Sequence, residues 1–211
     1  PVVFNIPWDI LDGELGSDAF TYEPLPDAFT PRQQRVHPDP ELVDMAVAHL
    51  LATERPPIIV AGRGAVASDA KDDLIGLAER VGGLLATTLA AKDYFHGHPF
   101  NLGVVGSLAI DNTLDMVRRS DVILAVGCSL NMETTFNGQL FEHATVIQID
   151  AVPDSIQAMT PVSLGIIADA KAGIQAINQK LDAEGGDLRA RAARFWTDAV
   201  REQIAAAQPI Q

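Results

Sequence analysis

The sequence predicts an α/β domain with three layers, helix, sheet and helix, built on a mostly parallel sheet. Two observations carry that expectation. Short aliphatic runs rich in Val and Ile alternate with segments whose apolar residues recur at helical spacing. Several of those runs end in Gly or Asp, at Gly62, Gly127 and Asp150, which is how strands end at the carboxyl edge of an open parallel sheet.

The elements follow in order. Pro1–Trp8 reads as a short strand that stops at Pro7, and Asp9–Pro40, with five prolines and no sustained period, reads as a linker. Leu42, Val43, Ala46, Val47 and Leu50 mark a helix over Glu41–Thr53, stopped by Pro56-Pro57. Ile58–Ala61 is a buried strand. Ser68–Arg80 is an amphipathic helix closed by Gly82-Gly83. Leu84–Thr88 is the next strand, and Ala90–Gly106 has no clear period and reads as a long loop. A helix over Ala109–Arg119, a strand over Val122–Val126, a polar loop over Asn131–His143 and a strand over Thr145–Ile149 follow. Pro153–Ala158 starts a short helix, Val162–Ile167 is a strand, and Asp169–Leu181 is a helix. Gly185-Gly186 breaks the chain, and Asp187 caps a last helix with Phe195, Trp196, Val200 and Ile204 on one stripe.

Composition narrows the function. The 211 residues are 47% apolar and 20% charged, enough for a sizeable core. A net charge of −13 repels phosphate backbones, so nucleic acid is excluded as a partner. No run approaches the ~18 apolar residues of a membrane span, and no signal peptide opens the chain. The single cysteine, Cys128, rules out a disulfide framework and suits the cytoplasm.

The chemistry-bearing positions cluster at the expected carboxyl edge. Gly62-Arg63-Gly64-Ala65-Val66-Ala67 fits the loose G-x-G-x-x-A turn of a dinucleotide site, where glycine lets a ligand approach and a helix start favours an anion. The same residues equally suit a tight turn with no ligand. The next strand ends in Thr87-Thr88 rather than in the acid that would hold a nicotinamide nucleotide's ribose, so a standard NAD site is disfavoured. Asp150 is placed to accept ribose hydroxyls or to cap the following turn. Asp169, after Ala168, is most simply a helix cap. Thr88-Leu89 and Gly106-Ser107 offer N–H and hydroxyl groups to a pyrophosphate. His96-Gly97-His98 lacks a third ligand at metal spacing and reads as exposed loop histidines. Cys128 has no readable base partner and reads as a packing residue.

The ordered set Pro57–Ala65, Ala86-Thr87-Thr88-Leu89-Ala90-Ala91-Lys92, Asn101-Leu102-Gly103-Val104-Val105-Gly106, Ser120–Gly127 and Val146–Asp150 resembles the central domain of thiamine-diphosphate-dependent enzymes of the acetolactate synthase, pyruvate oxidase, benzoylformate decarboxylase and oxalyl-CoA decarboxylase group. The resemblance implies a Rossmann-like sheet of about six strands. It also implies four segments: residues 1–9 ending a preceding pyrimidine-binding domain, 10–40 a linker, 41–183 the central domain, and 184–211 a helical link toward a following pyrophosphate-binding domain. The chain is then expected to be a piece of a longer cytoplasmic enzyme, a lyase or transferase acting on carbon–carbon bonds, whose partners are its own flanking domains and further copies in a dimer or tetramer.

In such enzymes thiamine diphosphate and Mg²⁺ lie between the flanking domains and are held by a Gly-Asp-Gly…Asn motif, and no Gly-Asp-Gly occurs here. The resemblance therefore implies no catalytic residue, no metal and no thiamine in this chain. Members' central domains bind FAD, ADP or nothing. The positions that match their nucleotide contacts are Gly62, Arg63, Gly64, Thr88, Leu89, Gly106, Ser107, Gly127, Cys128, Asp150, Ala168 and Asp169. Flavin-binding members usually carry an arginine after Gly127, where this chain has Cys128-Ser129-Leu130. A nucleotide-free scaffold leads, with ADP or FAD as the alternative. An exposed apolar surface is expected around Phe195-Trp196.

Overall fold

The computed structural model describes residues 5–14, 16 and 34–207. Residues 1–4 of the strand expected over Pro1–Trp8, and the proline-rich part of the linker, lie outside them. Pro1–Gln34 and Arg35–Gln211 are separate compact units. In the first, α1 (Trp8–Leu11) is one helical turn hung on the Pro7 carbonyl, with no buried residue. Asn5–Pro7 forms no strand: proline at position 7 lacks the N–H that a ladder needs.

The second unit is an α/β domain on one six-stranded, all-parallel sheet: β1 (Ile58–Ala61), β2 (Leu84–Thr87), β3 (Asn101–Val104), β4 (Val122–Val126), β5 (Thr145–Asp150) and β6 (Leu164–Ile167), in the order β3-β2-β1-β4-β5-β6. Every residue of β1, β2 and β4 is buried, as expected where both faces of a parallel sheet are covered. Ile59, Ala61, Leu124 and Val126 face one core. Ile58, Val60, Ile123 and Ala125 face the other.

The first face is covered by α2 (Pro40–Ala52), α4 (Lys71–Val81) and α7 (Ala170–Glu184). Asp39 caps α2 through the Glu41 N–H, and Gly82 closes α4 in the left-handed region. The second face is covered by α5 (Asp111–Arg118), by the segment carrying α6 (Met132–Thr135), and by α9 (Asp198–Ala207).

Four details differ from the sequence reading. The loop read over Ala90–Gly106 contains edge strand β3. The helix read from Ser68 begins earlier, as the five-residue α3 (Arg63–Ala67), breaks at Asp69 with φ +56°, and resumes as α4. The polar loop after β4 holds α6. The last helix is two, α8 (Leu188–Phe195) and α9, parted at Trp196-Thr197. Phe195 and Ile204 are buried and Trp196 is packed on both cores, so the apolar surface expected there is covered.

Candidate functional site

Strands β1 and β4 lie side by side, and the chain runs outward in opposite directions from them. This is the switch point where open α/β sheets leave a crevice at their carboxyl ends. Here two backbones meet beside it. The Gly62 N–H donates to the Val126 carbonyl at 2.9 Å, and the Gly64 N–H to the Gly127 carbonyl at 2.8 Å. A Cβ on Gly62 would stand 2.3 Å from both the Gly127 oxygen and the Cys128 Cβ. One on Gly127 (φ +60°) would stand 2.5 Å from the Ala65 nitrogen. The glycines that the sequence offers to a phosphate thus let one loop press against another.

The same holds one strand pair away. Gly106 (φ +92°) would drive a Cβ to 2.0 Å from the Glu133 carbonyl. Next to it, Ser107 donates its N–H to that carbonyl at 2.8 Å and its hydroxyl to the Glu133 carboxylate at 2.6 Å. The Gly106-Ser107 loop is therefore docked on α6. The Thr88 N–H donates to the Ala61 carbonyl, while Leu89 projects into solvent.

The acids are occupied as turns and caps. Asp150 accepts from the Val152 N–H at 2.9 Å. The Ala168 N–H closes onto the Asp150 carbonyl. Asp169 caps α7 by accepting from the Ala172 N–H at 3.0 Å, and Arg35 stands 3.5 Å from it. Cys128 is buried, and its thiol is pushed up to about 12, first by desolvation and then by the charge of Asp150. Such a thiol is no nucleophile at neutral pH. Arg63 is exposed at the start of α3 and has no ion pair among the described residues. His96 is exposed, but His98 is half-buried against Phe100 and Trp196 instead of free in a loop.

One organising residue was missed by the sequence reading. Gln148, 1% exposed in the middle of β5, donates its amide to the carbonyls of Cys128 (3.2 Å) and Ser155 (3.0 Å) and accepts from the Gln157 N–H (2.9 Å). It ties the loops after β4 and β5 together. A lone polar residue in an aliphatic strand is the sequence feature that marks it.

The carboxyl rim is also apolar. Val66, Leu89, Leu108, Met132 and Val152 are all exposed, one from each loop that leaves β1 through β5. A cavity of about 420 Å³ lies elsewhere, at the amino ends of β5 and β6. It is lined by Phe141, Val146, Thr160, Val162 and Ser163 among others, and by none of the positions nominated from the sequence. Among the described residues no three His, Cys, Asp or Glu side chains are grouped to hold a metal ion. No helix there is long and apolar enough to cross a membrane.

Residues 45–177 match the family described as thiamine pyrophosphate enzyme, central domain. The chain is similar to a sulfoacetaldehyde acetyltransferase of Rhodobacter capsulatus, 36% identical over 208 residues, covering 93% of this chain and 33% of that protein. It is also similar to a probable acetolactate synthase large subunit of Methanocaldococcus jannaschii, 32% identical over 174 residues, covering 81% and 29%. Among solved structures, benzoylformate decarboxylase from Polynucleobacter necessarius superposes with a TM-score of 0.60 at 21% identity, covering 77% of this chain and 31% of that one, a likeness of fold. The chain spans about a third of the length of these curated relatives.

Proposed function

The chain belongs to the thiamine pyrophosphate enzyme central-domain family, and on that premise we propose that it is the scaffold of a longer thiamine-dependent lyase or transferase and is not catalytic alone. The parent would act on a 2-keto acid or a related carbonyl compound, as a decarboxylase, a carboligase or an acetolactate synthase-like enzyme. Its relatives, a sulfoacetaldehyde acetyltransferase and a probable acetolactate synthase large subunit, support the transferase side of that range. Its partners would be the flanking domains and further copies in a dimer or tetramer, in the cytoplasm.

One observation carries the scaffold reading. At the switch point the N–H groups of Gly62 and Gly64 are taken up by the carbonyls of Val126 and Gly127, and the two loops meet in close backbone contact where a ligand's phosphate would need those donors. The donor set for a magnesium diphosphate does not fit this chain either. The sequence holds no Gly-Asp-Gly, the motif that would hold it. The test is to supply the purified chain with pyruvate, thiamine diphosphate and Mg²⁺ and to assay for acetolactate and acetaldehyde. Neither product is expected. Turnover would overturn the scaffold reading.

A second reading, an ADP or FAD module, rests on Arg63. That guanidinium is exposed beside the glycine turn, on the same rim as Asp150 and its carboxylate. Calorimetric titration decides it: saturable heat with ADP or FAD that is lost in Arg63→Ala favours a nucleotide, and no heat with either removes it.

A further inference from the structure

The pair His96-Gly97-His98 has no part in the scaffold or nucleotide readings. His98 nevertheless occupies a built position. Its Nδ1 accepts the N–H of Phe100 at 3.2 Å, so that nitrogen carries no proton. Its ring meets the Trp196 ring edge-on at 5.6 Å, and Trp196 stacks on Phe100 at 4.3 Å and 12°. Trp196 lies between α8 and α9 and donates its indole N–H to the Gly83 carbonyl at 3.0 Å. The segment is held at three further points. Arg191 donates to the carbonyls of Leu50 and Thr53 at the end of α2. Phe195 packs on Gly82. Gln203 of α9 donates to Asn112 of α5 at 2.8 Å.

We propose that His98 is a pH-sensitive latch for the C-terminal helices: neutral, it holds the Phe100–Trp196 stack against the sheet; protonated, it lets Trp196 and the α8–α9 segment loosen. The chemistry is direct. A proton on Nδ1 sets an N–H against the Phe100 N–H, two donors face to face, and the loop must turn the ring away from the indole. A charged ring also sits badly in a half-buried aromatic cluster. Burial holds the His98 pKa below the ordinary imidazole value, and the field of Glu79 on α4 pulls it back up. From its own loop and from the α8–α9 junction the rings of Phe100 and Trp196 face it. The sign follows. Because the folded pKa is lowered, the closed latch is complete above the ordinary histidine range, and it opens as pH falls through that range toward the folded pKa.

The chain has two tryptophans, so Trp8→Phe leaves Trp196 as the reporter. Acrylamide quenching of W8F is followed from about pH 8 to about pH 5. The quenching constant is expected to rise roughly twofold or more as the indole becomes accessible. In W8F/H98Q it is expected to stay flat, and in W8F/H96Q to rise as in W8F. Should the glutamine variant fail to fold by circular dichroism, His98→Phe, with a flat ring and no titrating nitrogen, replaces it with the same flat expectation. A constant that does not change in W8F, or one that rises equally without His98, overturns the latch.

Discussion

At Gly62 and Gly127 a hydrogen stands where any other residue would put a carbon inside a neighbouring backbone atom's radius, 2.3 and 2.5 Å away. Backbone cannot retreat as a flexible side chain can. Gly62→Ala is therefore expected to cost about 3 kcal/mol or more, read from the urea unfolding midpoint. Gly97→Ala, which meets open space but sits at φ +81°, is expected to cost about 1 kcal/mol. Cys128 gives a second expectation at this scale. Its thiol is pushed up to about 12, so the folded state holds the proton that the unfolded chain releases near the ordinary thiol value of ~8.5. Its stabilising contribution is complete at neutral pH and drains away as pH climbs from that value toward 12. Native protein is expected to resist iodoacetamide near neutrality, and Cys128→Ala to flatten the alkaline fall in stability measured by denaturant titration.

Between elements, Gln148 does for the carboxyl rim what a cap does for a helix. Replacing it with leucine keeps the volume but strands the carbonyls of Cys128 and Ser155 and the N–H of Gln157. The expected loss is about 2–4 kcal/mol. Hydrogen exchange should quicken in residues 150–158 well before it does in β5, and uniform quickening would argue against a local tie. Elements this regular were mostly legible in the sequence. Strands β1, β4 and β5 announce themselves as aliphatic runs, and α4 by its stripe and glycine stop. β3 was hidden because an edge strand needs only one buried side chain, Leu102, and because Gly103 at φ +76° and a shifted register leave it no alternation. The α3–α4 break was hidden because Asp69 in the left-handed region looks in sequence like an ordinary cap. The glycine motif was visible, but that a second loop packs against it depends on which strand lies beside β1. Only topology supplies that fact.

On the scale of the whole molecule, the boundary of the folding unit lies past the boundary of the family match. The family region ends at residue 177, yet α8 and α9 bury Phe195 and Ile204 and close the aromatic stack on Phe100. Arg191 also gives its cation to the carbonyl end of α2, where the helix dipole is negative. Each large side chain withdrawn from water contributes about 1.5–3 kcal/mol. A chain cut after Glu184 therefore forfeits roughly 5 kcal/mol and exposes the face carrying Phe100 and Gly83. In a domain of this size the melting temperature is expected to fall by about 10 °C or more, with added self-association visible by light scattering because the uncovered patch is aromatic. Should the shortened chain melt where the full one does, α8 and α9 would be a tether lying on the domain and not a part of its core. The latch at His98 would then have nothing to hold.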